Sequence, residues 1–316
     1  MKRIMKTFTK LGVCLFLVGS IIFTTAMFAA CWDWSKLSNI VYEDKTYTVS
    51  ADEVDKIALD IESGKLEIEQ TDDENITVEY YIGRSKNGKE RISIKPSLSD
   101  GVLTIKQKVG FVIFNFTEKK AVVKIPADKT LELSAEVASG EITLGNVEEQ
   151  YAFSSLKLNV TSGEICVNSA VTAEKVSMSV TSGEISIKNA MTSAGNVSIK
   201  VTSGDVEING ALTAENISMS VTSGDIDVNS EVTATSATLS VTSGKIDAYG
   251  GVLAADKVEA KVSSGDIKIA MKGKKEVYSY TCKVGSGDSN ISSYIAGDKT
   301  IKATVSSGDI HIKFKE

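Results

Sequence analysis

A glycine returns at an almost constant interval through the second half of this chain of 316 residues. In each copy it follows a serine and usually precedes an acid, as in VSMSVTSGEISI at 176–187. A period of about 21 residues is typical of stacked repeat architectures and not of an ordinary globular domain. The repeated glycines are Gly140, Gly163, Gly183, Gly204, Gly224, Gly244, Gly265, Gly287 and Gly308.

Apolar and polar side chains alternate within each copy, which is the two-residue period of a β-strand. Val176 and Met178 would therefore face one side of a strand and Ser177 the other. Two short strands and tight turns in about 21 residues predict one coil of an all-β, parallel β-solenoid (β-helix-like) fold. A β-sandwich is disfavoured, because its hairpins do not require the same turn sequence at every second connection.

The N-terminus carries an apolar segment. Residues 11–30 contain no charged side chain, and four basic residues precede them. A helix of about 20 apolar residues crosses a bilayer. The basic flank predicts a cytoplasmic N-terminus and an extracellular remainder at a bacterial cell membrane. A single transmembrane anchor is the favoured interpretation, while a cleaved signal and a lipoprotein signal with lipidation at Cys31 stay open.

These features divide the chain into four segments. The repeat is weaker upstream of its regular part, where IALDIESGKLEI at 57–68 is an outlying copy. Between the two zones lie candidate strands, and the apolar run GFVIFNF at 110–116 is interpreted as core or cap, with a partner site as the alternative. The predicted segments are an anchor or signal at 1–30, a juxtamembrane linker at 31–56, an N-terminal β part and cap at 57–130, and regular solenoid repeats at 131–316.

The charge and residue counts exclude several classes of protein. The formal net charge of −6 is wrong for a nucleic-acid binder. A single histidine excludes multi-histidine metal motifs such as HExxH. No sequence pattern assigns a catalytic, cofactor-binding or metal-binding residue.

The acids that follow the repeated glycines predict a column of carboxylates on one face of the solenoid. Lys245 interrupts this column, and neighbouring carboxylates about 5 Å apart repel by roughly 1 kcal/mol in water. The favoured interpretation is solvated acids at strand starts, and a calcium-binding row is the alternative. As a candidate interaction ladder for a partner, the column comprises Glu164, Glu184, Asp205, Asp225, Asp266, Asp288 and Asp309, with Glu141 before them.

Two further expectations depend on coils that stack in chain order. Cys166 and Cys282 would lie six coils apart, which is too far for a disulfide. Lys313 and Lys315 would point outward from the last strand and blunt edge-to-edge pairing, so no end-to-end polymer is expected.

The exported part resembles a bacterial family of uncharacterised envelope proteins that carry the name "putative adhesin". The resemblance rests on Trp32-Asp33-Trp34-Ser35, on VDKIALDIESGKLEI at 54–68, on Ile125-Pro126 and on the repeated S-G-[DE]-[IV] copies. It implies a β-helix-like domain at the surface of a bacterium, often linked to cell-envelope responses. It implies no catalytic residues.

These observations favour a membrane-anchored interaction protein without catalysis, whose partner is an unknown protein or a cell-wall or host-surface component. One alternative is a carbohydrate-active parallel β-helix enzyme, although coils of uniform length leave no long loops to wall a cleft. The other alternative is a self-assembling envelope scaffold, against which the anchor and the lysines of the last strand both count.

Overall fold

A computed structural model describes residues 39–111 and 119–316. Short 3-10 turns occur at Ala51–Glu53 and Lys275–Val277, and the other regular elements in these ranges are strands. The strands are β1 (Ile40–Ser50), β2 (Lys56–Thr71), β3 (Asn75–Ser85), β4 (Glu90–Ser99), β5 (Val102–Val109), β6 (Lys120–Pro126), β7 (Thr130–Leu144), β8 (Gln150–Val167), β9 (Ala170–Ile187), β10 (Met191–Ser193), β11 (Asn196–Ser203), β12 (Val206–Ile208), β13 (Leu212–Ser223), β14 (Ile226–Val228), β15 (Glu231–Ser243), β16 (Ile246–Ser264), β17 (Ile267–Lys272), β18 (Tyr278–Ser286), β19 (Lys299–Ser307) and β20 (Ile310–Lys315).

The chain forms two compact units, and the smaller comprises the described parts of residues 1–44, 81–93 and 108–119. Within it, the rings of Tyr42 and Tyr81 meet edge to face with centroids 5.4 Å apart. Lys119 lies over the Tyr42 ring and forms an ion pair of 2.7 Å with Asp44. This unit therefore has its own aromatic and ionic contacts.

The larger unit contains residues 45–80, 94–107 and 120–316 and is built from parallel strand ladders. In its regular part each coil of about 21 residues contributes to three ladders. One coil, for example, supplies residues 197–203, 206–208 and 212–214 to the three ladders. These residues pair in parallel with their equivalents in the coils before and after, which confirms the predicted parallel β-solenoid.

The core of the larger unit is filled by inward side chains that alternate with exposed ones. In the coil just described, seven inward residues are at most 7% exposed. Burying a Val, Leu, Ile or Met side chain contributes about 1.5–3 kcal/mol. Each coil thus adds a similar apolar layer, which here consists of Val197, Ile199, Val201, Val206, Ile208, Leu212 and Ala214.

Each coil of the repeat bends at a Ser-Gly pair, which we call the glycine corner; an acid follows the glycine except at Lys65 and Lys245. The ten corner glycines, from Gly64 to Gly308, have φ between 121° and 142°, a backbone conformation that residues other than glycine rarely adopt. The stack adds a second constraint, because a Cβ on Gly204 would lie 1.9 Å from the carbonyl oxygen of Gly183. Equivalent carbonyls lie 1.7–2.2 Å from such a Cβ at the other corners from Gly140 onward. The corner therefore excludes any side chain by backbone conformation and by space.

The coils do not stack in chain order at the N-terminal end of the larger unit. β2 pairs with β7 on one side and with β5 and β6 on the other. In space, β5 and β6 therefore form the outermost coil, β2 forms the second coil, and β7 begins the third.

The same inversion occurs at the other end. β19 pairs with β16 on one side and with β18 on the other, so the coil of Gly308 lies between those of Gly265 and Gly287. β20 likewise pairs with β17. The prediction that coils stack in chain order is wrong here, and Cys166 and Cys282 are separated by seven coil steps instead of six. Both are free thiols.

The lysines of β20 make contacts that the sequence analysis did not predict. Among the described strands β20 pairs with β17, and on its other side Ser289 forms an isolated parallel bridge with Ile310. Lys315 Nζ donates to the carbonyl oxygen of Gly251 at 2.8 Å, and Lys313 Nζ lies 3.6 Å from the centroid of the Tyr249 ring. Both cations therefore attach β20 to the 249–251 segment. On the outer edge of β18, Tyr280 forms an isolated antiparallel bridge with Tyr294.

Three sequence predictions concern residues outside the described ranges: the anchor at 11–30, the lipidation site Cys31, and most of the apolar run 110–116. Of that run the structure describes Gly110 and Phe111, and Phe111 is 77% exposed. Within residues 39–111 and 119–316, no helix has the length and apolar composition needed to cross a membrane.

We expect Gly204→Ala to destabilise the larger unit by about 3 kcal/mol or more, because the corner admits neither the conformation nor the volume of a Cβ. Urea unfolding measures the effect. Gly273→Ala is the control, since Gly273 lies in the same unit and also has positive φ (101°), but a Cβ there meets nothing within 4 Å. Equal losses in the two variants would show that backbone strain alone matters and that stacking does not.

Candidate interaction surface

The structure places the predicted acidic ladder in one outward column beside the glycine corners. Glu164 and Glu184 are direct partners in the β8–β9 pairing, and Asp205 and Asp225 follow in the next two coils. Because of the inverted order, Asp309 lies between Asp266 and Asp288. The structure thus brings these side chains together, in an order that differs at one end from that of the sequence.

A second column of acids, which the sequence analysis missed, runs beside the first. It consists of the outward residue between the two inward apolar residues that follow each corner. In three successive coils this residue is Glu207, Asp227 and Asp247, which are partners in the parallel register. The two-residue alternation of the strands could have revealed this column, because each of its acids lies two residues after a position of the first column and so faces the same side. We call the six carboxylates Glu184, Asp205, Glu207, Asp225, Asp227 and Asp247 the acidic strip.

The aspartates of the first column also bind the backbone of the neighbouring coil. Asp205 Oδ1 accepts a hydrogen bond from the amide of Asp225 at 2.7 Å, and Asp225 Oδ1 accepts one from Lys245 at 2.8 Å. Asp266 and Asp309 make the same contact to the next coil in space. An acceptor with negative charge makes a stronger hydrogen bond than a neutral one. The aspartates therefore stabilise the corner as well as forming its charged surface.

Copies that carry glutamate have a different corner. β7, β8 and β9 run through the glycine without interruption, and Glu141, Glu164 and Glu184 take part in the ladder as ordinary paired residues. In the copies with Asp205 and Asp225, the strands end at the serine and restart after the acid. The longer glutamate side chain leaves the backbone ladder continuous, whereas aspartate replaces one backbone acceptor by a carboxylate oxygen.

Lys245 interrupts the first column and partly neutralises the acidic strip. Its Nζ lies 3.1 Å from Asp227 and 3.8 Å from Asp225. These carboxylates raise the pKa of Lys245, chiefly through the hydrogen bond that its ammonium donates to Asp227. One internal cation therefore relieves repulsion in the middle of the strip.

The glutamate that follows the corner glycine has a raised pKa in one coil and a lowered pKa in another. The pKa of Glu184 is raised, chiefly by burial and then by the neighbouring Glu207, Glu164 and Asp205. The pKa of Glu141 is lowered, chiefly by a hydrogen bond from the Thr143 hydroxyl, with Lys65 assisting. The surroundings thus destabilise the ionised form of Glu184, whereas they stabilise the ionised form of Glu141.

Ser186 lies between Cys166 and Glu207 in the second column. Its side chain is 4% exposed, and its Oγ has no hydrogen-bond partner among the residues that the structure describes. Burial raises the pKa of the neighbouring Cys166 thiol. A thiol with a raised pKa is a poor nucleophile, so this arrangement does not activate Cys166.

The calcium alternative requires several carboxylates that converge on one point. In the described part of the chain, no group of three or more His, Cys, Asp or Glu side chains is placed to hold a metal ion. The aspartates of the first column instead direct one oxygen to backbone amides. The acids follow a line along the stack, which is the geometry of an extended contact.

In a comparison with protein families, residues 54–316 match the family described as Toastrack DUF4097. Comparison with curated proteins gives no significant match.

Several solved structures are similar at low sequence identity. A "putative adhesin" from Bacteroides fragilis is 17% identical, with a TM-score of 0.37, and the match covers 86% of this chain and 97% of that one. A "putative adhesin" from Parabacteroides merdae is 16% identical, with a TM-score of 0.40 and coverages of 87% and 97%. A "putative lipid binding protein" from Parabacteroides distasonis is 19% identical, with a TM-score of 0.39 and coverages of 88% and 98%.

We expect Asp225→Ala to lower the free energy of unfolding by about 1–2 kcal/mol, because the amide of Lys245 loses its acceptor. Asp225→Asn keeps an oxygen at the same place and should stay within about 0.5 kcal/mol of the wild type. Urea unfolding of both variants tests this. Equal losses would show that the charge matters and that the hydrogen bond does not.

Glu184→Gln and Glu141→Gln should have opposite effects at pH 7. An acid whose folded pKa is raised destabilises the fold when ionised, so removing the charge of Glu184 should stabilise it. An acid whose folded pKa is lowered stabilises the fold when ionised, so Glu141→Gln should destabilise it. Since both side chains are partly solvated, we expect a few tenths of a kcal/mol, roughly, in each direction.

Urea unfolding as a function of pH measures both effects. The gain from Glu184→Gln should shrink as the pH falls toward 4.5, the ordinary glutamate value, because the wild-type side chain then takes up its proton. The loss from Glu141→Gln should persist to lower pH. If both substitutions changed the free energy of unfolding in the same direction, the opposite pKa shifts assigned to Glu184 and Glu141 would be contradicted.

Proposed function

We propose that this chain, which belongs to the Toastrack DUF4097 family, is a binding protein of adhesin type without catalytic activity. Residues 11–30 anchor it in a bacterial membrane, and the solenoid lies on the extracellular side. The basic residues before the apolar segment support this orientation. The sequence from residue 11 onward has 31 basic and 41 acidic residues, a net charge of −10, which keeps the domain away from anionic lipid headgroups.

The observation that carries the proposal is the acidic strip. Its six carboxylates occupy four successive coils in two adjacent columns, with Lys245 among them. A rigid backbone ladder holds these charges, so little conformational freedom is lost when a partner binds. A partner with regularly placed cations would replace the repulsion within the strip by attraction. We therefore propose a cationic protein, cell-wall or host-surface component as the partner.

The arrangement of the acids favours binding over glycoside hydrolysis. Glycoside hydrolysis needs a carboxylic acid with a raised pKa and a second carboxylate, which face each other across the substrate. Here Asp205 and Asp225 each use an oxygen to accept a backbone amide of the next coil. Their carboxylates lie side by side along one face, which suits contact with an extended partner.

A capture experiment tests the proposal. The full chain, kept in mild detergent and fixed to beads, is exposed separately to cell-wall fragments, solubilised envelope proteins and host-matrix extract. We expect at least one extract to yield a retained component that salt elutes, because contact with an exposed acidic strip is screened by ions.

The variant that tests the strip changes charge and preserves hydrogen-bond acceptors. It combines Glu184→Gln, Asp205→Asn, Glu207→Gln, Asp225→Asn and Asp227→Asn. A matched control removes the same number of charges from exposed positions elsewhere, through Asp52→Asn, Asp72→Asn, Asp128→Asn, Glu174→Gln and Glu215→Gln.

We expect the strip variant to lose the retained component and the control to keep it. Loss in both variants would show a dependence on net charge alone, and retention in both would move the binding surface elsewhere. If no extract yields a component, the binding proposal is wrong. Filaments of the wild-type chain in electron microscopy would then favour the scaffold.

A further inference from the structure

The coil formed by residues 299–316 is inserted between two coils that precede it in the chain. β19 pairs with β16 through seven residues and with β18 through eight, all in parallel. β20 adds six pairs with β17. Both edges of this coil are thus occupied by neighbours that were synthesised earlier.

The repeat makes the position of this coil equivalent to any other in the stack. Ile301 pairs with Val258 on one side and with Tyr280 on the other, and Ala303 pairs with Ala260 and Cys282. The corner follows the same rule, because a Cβ on Gly308 would meet the carbonyl of Gly265, and a Cβ on Gly287 that of Gly308. The coil can therefore be accepted wherever the two flanking coils are present.

The segment that connects β18 to this coil is exposed. Nearly all residues of 288–298 lie at the surface, and Ile295 is 86% exposed. Its contacts to β18 include the Tyr280–Tyr294 bridge and a hydrogen bond from the Ser279 hydroxyl to the carbonyl of Gly297. Few apolar contacts hold this connection, so its local opening costs little compared with global unfolding.

The far end of the coil docks through side chains specific to this chain. Lys315 Nζ donates to the carbonyl oxygens of Tyr249, Gly250 and Gly251 at 3.3, 3.4 and 2.8 Å. Phe314 packs against the rings of Tyr278 and Tyr280, with centroids 5.6 and 6.1 Å away. These contacts distinguish residues 299–316 from a generic β-strand.

From this order, register and docking we propose that residues 299–316 are exchanged between two copies of the chain. In the exchanged dimer, the coil of one copy fills the space between β16–β17 and β18 of the other. Residues 288–290 stay with β18, because Asp288 and Asn290 hydrogen-bond to β20, and residues 291–298 are the hinge. The occupant is a second copy because only that copy supplies the same register together with the Lys315 and Phe314 contacts. Such exchange forms the same contacts as the monomer and has a small thermodynamic cost.

Cross-linking between two different copies tests the exchange. Cys14, Cys31 and Cys166 are replaced by Ser in both full-length chains. One chain keeps Cys282, and the other carries Cys282→Ser and Ala303→Cys. The two positions are partners in parallel strands about 4.8 Å apart, which suits a disulfide. After incubation at high concentration in detergent and mild oxidation, we expect a disulfide-linked dimer on a non-reducing gel.

Two controls make the result specific. A single chain with both Cys282 and Ala303→Cys should form the bond internally, which shows that the variant folds and that oxidation works. Ala234→Cys in one chain and Ala255→Cys in the other, with Cys282→Ser in both, mark central coils that are also in register, and these chains should remain unlinked. If the terminal pair links only within one chain, or if the central pair links equally well between chains, the proposal is overturned.

Lys315→Met supplies a second measurement. Because the lysine makes the same contacts in monomer and dimer, its loss should speed cross-linking several-fold without changing the final yield. A changed yield with an unchanged rate would contradict exchange through opening of this coil.

Discussion

The close approach of backbone to backbone at the glycine corner is the constraint on which the rest of the structure depends. From Gly140 onward, a Cβ added to any corner glycine would collide with the carbonyl of the neighbouring corner, so these coils stack at one separation and in one register. A shift by one residue would place a serine or an acid at that point. The corner therefore sets the register, and the register in turn aligns the inward apolar residues and the outward acids.

The acidic strip follows from this alignment and from a balance of two effects. Repulsion between neighbouring carboxylates is modest where water surrounds them, roughly 1 kcal/mol each. A charge-assisted hydrogen bond from a carboxylate to an amide offsets a loss of that size. Asp205 and Asp225 thus remain compatible with the fold, and Lys245 pairs with the most crowded part of the strip. The negative charge of the acidic strip that Lys245 does not neutralise is available to bind a partner.

The repeat itself predicted much of this structure. The two-residue alternation, the period and the recurrent Ser-Gly-acid sequence together identified the parallel solenoid, its corners and the first acidic column. The second column was equally visible in the sequence, yet Glu207, Asp227 and Asp247 share their position with Cys166, Ser186 and Lys268, so no uniform residue type marked it. The order of coils at the ends was not predictable from periodicity, because equivalent repeats have equivalent edges and local sequence does not say which two will meet.

That equivalence also explains how the two ends of the stack are closed. A parallel ladder leaves an unpaired edge at each end, which invites association with another chain. At one end β3 pairs antiparallel with β6, and at the other Tyr294 forms an antiparallel bridge with Tyr280 of β18. An antiparallel neighbour does not continue the parallel ladder of the repeats. At the first end the later strands β5 and β6 lie outside the earlier β2. At the other end the later strand β19 lies inside the earlier β18. Long-range pairing must therefore complete each end, and the interior repeats need only their nearest neighbours.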